Sequence, residues 1–210
     1  MHLADGILSL PVLAAGTSLA LAGVGLGLRR MAYEQIPQVA VLSASFFVAS
    51  LIHVPVGPGQ AHLILNGLAG LVLGWAVFPA LLAALLLQAI FFGYGGVTVL
   101  GINTLNMALP GVACWYLLRP LLRRAENRAA VFTIGFSVGG LAITMSAALI
   151  GATLYLTNNA YFQVALAIVI AHLPIMVVEG LLSGVILVFL KKTAPQILPD
   201  TFRTTPPPTE

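Results

Sequence analysis

"LILNGLAGLVLGWAVFPALLAALLLQAIFFG" (residues 63–93) is a nearly unbroken apolar run. As a single helix at 1.5 Å per residue it would reach roughly 46 Å, well beyond a hydrocarbon core of about 30 Å. Gly74 and Pro79 lie near its middle, and both disfavour a continuous helix there. Two short spans joined near "GWAVFP" are the expected reading.

The basic residues lead to the same division. Every Lys and Arg falls in one of three places: Arg29 and Arg30; Arg119, Arg123, Arg124 and Arg128; or Lys191, Lys192 and Arg203. The positive-inside rule puts all three on the cytoplasmic side, so the first two clusters must be separated by an even number of crossings. Two spans within 63–93 satisfy that parity and one does not. The expected fold class is an all-α integral membrane protein, about seven transmembrane helices in one bundle, N-terminus outside and C-terminus cytoplasmic.

The other apolar runs cover about 12–28, 39–54, 104–118, 131–156 and 162–190. With 7% charged residues, 60% hydrophobic residues and a mean hydropathy of +1.04, the chain cannot assemble an ordinary water-facing surface. Its partner is a lipid bilayer; the net charge of +3 sits in short topology clusters, which argues against nucleic acid. The single cysteine, Cys114, reads as packing. Residues 1–190 form one membrane domain, beginning with a segment 1–11 ahead of the first helix. Residues 191–210 are expected to be a disordered cytoplasmic tail, because "TAPQILPDTFRTTPPPTE" is rich in Pro and Thr. Small residues four apart, Gly16/Ala20 and Gly23/Gly27, suit either tight packing within the bundle or docking of another membrane subunit.

The chain opens "MHLADGIL", with no basic residue before Arg29, so this start does not read as a signal peptide and is expected to be kept. The topology places His2, His53 and His62 on the outer side. A free amine on Met1, the amide nitrogen of His2 and the Nδ1 of its imidazole can close fused five- and six-membered chelate rings around one ion. An imidazole from His62 would complete a four-nitrogen plane, a geometry that favours Ni(II), Cu(II) or Co(II) over Mg²⁺ or Ca²⁺. The competing reading is a set of interfacial histidines with no ligand.

The start "MHLADGILS", the GG-x-T-x-x-G-x-N-x-x-N-M string at residues 95–107 and "AHLPIMVVEGLLSG" at 171–184 resemble the cobalt/nickel substrate-binding membrane component, CbiM/NikM type, of energy-coupling-factor transporters. The resemblance covers roughly residues 1–190. It implies a seven-helix subunit in the prokaryotic cytoplasmic (inner) membrane that captures Co²⁺ or Ni²⁺ as transported substrate. It also implies Met1, His2 and His62 as ligands. The implied partners are two cytoplasmic ATPase subunits, a transmembrane coupling subunit and a small accessory membrane protein. The chain departs from the family around the loop histidine, where "GPGQAHLILNG" replaces Ser-x-Ser-His-Pro-Thr-Gly. His62 is preferred because it starts a helix and is followed by Gly67 at a comparable distance; His53 is the alternative ligand, or shapes the loop by hydrogen bonding near the site.

Asp5 is expected either to accept a hydrogen bond from His2 or to cap the first helix. Asn66, Asn103 and Asn106 are polar groups in apolar surroundings that must find partners, holding either the N-terminal segment or loops against helix ends. His172 and Glu179 are intramembrane ionisable residues seven apart, about 10.5 Å along a helix, so each needs a partner other than its neighbour. Clamping their helix to a neighbour or to a coupling subunit is the preferred role; a place on the metal's path is the other. The sequence has no phosphate-binding loop for ATP and no His-Glu-x-x-His, so neither an ATPase nor an intramembrane metalloprotease is expected. A stand-alone metal channel or secondary carrier is the rival, though polar residues along the runs are few.

Overall fold

The computed structural model describes residues 2–56 and 59–198, with backbone alone over 53–61. An extended arm ends at Ser9, and Pro11, whose fixed φ suits a first turn, opens helix α1 (Leu10–Arg30). Arg29 and Arg30 close it, complementing the negative end of the helix dipole. Next in the chain come α2 (Ile36–Ala49) and an antiparallel hairpin of β1 (His53–Val56) and β2 (Gly59–His62), in which His53 and His62 are register partners. This hairpin departs from the all-helical expectation. The remaining helices are α3 (Asn66–Leu73), α4 (Val77–Phe92), α5 (Leu100–Arg124), α6 (Arg128–Thr157), α7 (Phe162–Ala171) and α8 (Leu173–Thr193). Each expected apolar run lies on one of these elements or a pair of them.

The run at 63–93 reverses direction. His62, just before α3, stacks on the His2 ring at 4.9 Å between centroids, and Tyr94, just after α4, stacks on the same ring at 6.0 Å. Both ends of the run therefore meet at one end of the bundle. Its middle lies at the other, where Arg30 sits over the Trp75 ring at 5.4 Å. Residues Gly74–Ala76 make the turn. Gly74 has φ +57, a conformation that favours glycine, and the Trp115 ring lies 3.2 Å from where a Cβ would stand, so a side chain here would also press on that ring. Pro79, third in α4, falls in the first turn, where its missing N–H costs no helical bond.

By length and composition, four helical stretches among the described residues could cross a membrane: Leu10–Arg30, Asn66–Phe92, Arg128–Thr157 and Asn159–Thr193. The second is the α3–α4 pair that geometry folds back on itself. The fourth is α7 and α8 joined at His172, with Pro174 in the first turn of α8.

Helix α3 is central, buried at all eight positions. It fits there because its glycines let backbones touch. A Cβ on Gly70 would come within 2.3 Å of Gly111 in α5, and one on Gly67 within 2.5 Å of the Val138 carbonyl in α6. A similar seam joins α6 to α8, with Gly135 against Gly184 and Gly139 against the Glu179 carbonyl. The small face of α1 is also turned inward: Gly16 meets Ile102, Gly23 meets Phe78 and Gly27 meets the Trp75 carbonyl. Of the two readings of those glycines, packing within the bundle is the one realised.

Ordered packing continues past residue 190. α8 runs on to Thr193, Pro195–Ile197 add a 3-10 turn, Leu198 is buried, and the Gln38 amide donates to the Ile197 carbonyl at 2.9 Å. The chain here packs because Ile197 and Leu198 are apolar, and most of the Pro and Thr of this terminus lies beyond Leu198 in sequence. Residues 199–210 lie outside the described residues, as does Met1.

Candidate metal centre

The N-terminal arm is docked along its backbone. Leu3 N–H donates to Asn103 Oδ1 and the Asn103 amide donates back to the Leu3 carbonyl, both at 3.0 Å. Asp5 N–H donates to the Gly95 carbonyl at 3.0 Å, and the Thr98 hydroxyl donates to the Asp5 carboxylate. Gly6, at φ +81, turns the chain toward α1. The arm rests on glycine: a Cβ on Gly95 would lie 2.9 Å from the Asn103 amide nitrogen and 3.5 Å from His2 Cβ, and one on Gly96 would strike the Asp5 carboxylate. The GG-x-T-x-x-G-x-N string is thus the cradle of the arm, with Gly95, Gly96, Thr98 and Asn103 each touching it.

This docking puts the His2 ring between His62 and Tyr94, with interplanar angles of 23° and 22°. Both His2 ring nitrogens are buried and, among the described residues, have no hydrogen-bond partner. Burial, more than the neighbouring charges, pushes the His2 pKa down to about 2, so the imidazole is neutral and its lone pair available to a metal. The His62 Nδ1 lies 3.0 Å from the Leu63 carbonyl. A carbonyl only accepts, so Nδ1 carries the proton and the lone pair of His62 sits on Nε2.

Among the described residues no three His, Cys, Asp or Glu side chains gather at one point. An imidazole lone pair lies in its ring plane, and planes only 23° apart at this spacing intersect well beyond a metal–nitrogen bond of about 2 Å. For both rings to bind one ion, at least one must turn off the stack.

The other sequence-selected residues divide. Asp5 neither accepts from His2 nor caps α1: the His2 nitrogens are unpartnered, and α1 starts after Ser9. Its carboxylate instead ties the arm to the 93–98 segment, because the turn at Gly6 aims it at Thr98. Among the described residues, Asn103 is the one of the three asparagines with a hydrogen bond to the arm. Asn66, first residue of α3, donates to the Met107 carbonyl at 2.8 Å and to Ser146 Oγ at 3.0 Å, and Asn106 donates to Thr153 Oγ1 at 3.4 Å. Those two join helices. His53 pairs in register with His62, and its side chain lies outside the described residues. His172 Nδ1 donates to the Ile168 carbonyl at 2.6 Å within its own helix pair. Glu179 reaches the His62 segment itself: its carboxylate accepts from the amides of Ile64 and Leu65, the latter at 3.0 and 3.1 Å. Tyr94 and Thr98 were not singled out from sequence; Thr98 stands inside the motif string, while nothing local marks Tyr94.

A family model described as "Cobalt uptake substrate-specific transmembrane region", CbiM, matches residues 2–197. A Haemophilus influenzae protein named for metal transport is 43% identical over 96% of this chain and 98% of its own. The fused nickel transport protein NikMN of Rhodobacter capsulatus is 42% identical over 53% of this chain and 34% of its own. A crystal structure of a transition metal transporter superposes with a TM-score of 0.73 at 27% identity, covering 91% of this chain and 93% of that one. With a docked arm, a buried histidine pair and this match over nearly its whole length, the chain belongs to the CbiM/NikM family of transmembrane components of cobalt and nickel uptake.

Proposed function

We propose that the chain is the substrate-capturing subunit of an ATP-driven uptake system for a divalent transition metal, cobalt or nickel. The ion is held by four nitrogens: the Met1 amine, the amide and imidazole of His2, and the imidazole of His62. The observation that carries this reading is the His2 ring, stacked beside His62 with both nitrogens buried and, among the described residues, lacking a hydrogen-bond partner. Leaving such groups unpaired is costly, and coordination would offset that cost.

The reading includes seven crossings with the N-terminus outside and the C-terminus cytoplasmic; Arg30 over Trp75 and Arg119 over Trp115, at the end of the bundle away from the His2–His62 stack, support it. Energy comes from two cytoplasmic ATPase subunits through a transmembrane coupling subunit, with a small accessory membrane protein completing the assembly in a prokaryotic cytoplasmic membrane. The rival, a stand-alone channel or carrier, is separated by transport with and without co-expressed ATPase subunits.

The chelating arm is tested by acetylating the Met1 amine, which leaves every side chain and the position of His2 unchanged but removes one nitrogen from the chelate. Titration with Co²⁺, Ni²⁺, Cu²⁺ and Zn²⁺ should then show the loss that His2→Ala gives. Near-normal affinity in the acetylated protein would leave only a side-chain site.

A further inference from the structure

We infer that Glu179 is a positioning residue for the metal ligand His62, acting through the backbone amides of Ile64 and Leu65. The inference rests on the reading of His62 as a ligand. Glu179 is 1% exposed, in the first half of α8 and far in sequence from the loop it holds. A carboxylate at such depth is retained only where donors satisfy it, and among the described residues its hydrogen bonds come from these two amides.

The two amides belong to the start of α3. That helix has Leu65 at its N-cap position and no side-chain cap of its own. The first N–H groups of a helix lack internal partners and carry the positive end of its dipole, which favours an anion. Glu179 supplies the missing acceptor from another helix. Leu65 also stands at φ +53, the left-handed region that a leucine seldom adopts, so the turn between His62 and α3 needs something to hold it. The bonded amides are those of Leu65 itself and of Ile64 just before it.

The clamp is aimed by packing on both sides. A Cβ on Gly139 would lie 2.4 Å from the Glu179 carbonyl, so the α6 backbone fixes where Glu179 stands. Gly67, two residues after Leu65, is pressed against Val138 on the same helix α6. Glu179 and the α3 start are thus referenced to one surface, and the His62 ring, two residues before Ile64, inherits that placement.

The test uses the full chain in detergent, with Glu179→Gln and Glu179→Leu compared to wild type and to Ser183→Ala, a buried neighbour on α8. Three readouts are taken: amide hydrogen exchange across 62–67 without metal, Co²⁺ affinity by titration, and the unfolding temperature. Exchange at Ile64 and Leu65 should rise at least tenfold in Glu179→Leu. Co²⁺ affinity should fall at least tenfold, with Glu179→Gln intermediate in both and Ser183→Ala like wild type. A purely structural role would lower the unfolding temperature without this joint effect at constant fold. Should Glu179→Leu not fold, Glu179→Gln decides: wild-type exchange and affinity in it overturn the inference. Faster exchange with unchanged affinity also overturns it. If His62→Ala binds Co²⁺ as wild type does, the four-nitrogen reading fails instead, while exchange at Ile64 and Leu65 still reports on the clamp.

Discussion

Asn103 and Leu3 exchange two hydrogen bonds of 3.0 Å each across one hundred positions of sequence. One amide side chain thereby imitates a neighbouring strand, giving the arm both a donor and an acceptor where it has no strand partner. Each neutral bond contributes on the order of 1 kcal/mol, and a lone survivor in a buried setting costs more than it returns. Asn103→Ala should therefore weaken Co²⁺ retention by roughly tenfold or more while the bundle remains folded. Unchanged affinity would mean that the arm is held without this pair.

Gly96 offers a sterically cleaner perturbation. With φ +116 and the Asp5 carboxylate where a Cβ would stand, Gly96→Ala should dislodge the arm and lower metal affinity. Gly25→Ala, at a position with nothing within 4 Å, should leave binding unchanged. Equal titration curves for the two variants would show that contact between Asp5 and the 93–98 segment does not matter.

Acidification should release the arm. The docked His2 has its pKa at about 2, against 6.5 for the undocked group, so docking requires the neutral ring. Docking strength is therefore fully present above pH 6.5 and is lost as pH falls below it, by about tenfold per pH unit. Hydrogen exchange at Leu3 in metal-free protein reads this directly. His2→Asn, which cannot titrate, should flatten the slope, and an equally steep slope in that variant would assign the effect elsewhere.

The two loop histidines can be told apart by substitution. His62→Ala should abolish stoichiometric metal retention, and His53→Ala should weaken it at most. Exchanged effects would make His53 the ligand.

Orientation is checked with single cysteines in a Cys114→Ser background. One at Asn159 should react with an impermeant thiol reagent from outside the cell and one at Glu126 should not. Both positions are exposed, so accessibility to water is not the variable. The reverse pattern would invert the bundle.

The reversal at Gly74 was legible because chain length and charge parity are properties of sequence alone. The nearness of His2 to His62 was legible only in part: a motif surrounds His2, whereas the loop around His62 departs from the family pattern and left His53 as an alternative. The role of Asp5 was not legible, since whether a carboxylate turns toward the ring before it or the loop beside it depends on the turn at Gly6 and on Thr98, ninety-three positions away. Glu179 was recognised as needing a partner. That the partner is backbone could not be read, because amides leave no mark in a sequence. Tyr94 stacks only once α4 has returned to the end where the arm lies, a purely tertiary event.

That return bears on how the chain is inserted during synthesis. Taken in order of emergence, Asn66–Phe92 offers the insertion machinery a mostly apolar stretch of 27 residues, enough for one ordinary span. Read that way, it would carry Arg119, Arg123 and Arg124 to the side opposite Arg29 and Arg30, which the bias on basic residues opposes. α3 by itself is about 12 Å long and cannot hold a transmembrane position without neighbours. Its seat between Gly111 of α5 and Val138 of α6 is built from helices that are synthesised later. In the proposed seven-crossing topology the α3–α4 pair is therefore expected to settle after its own translation is over, when the basic cluster of α5 and the glycine seats of α5 and α6 have arrived to fix which way it folds.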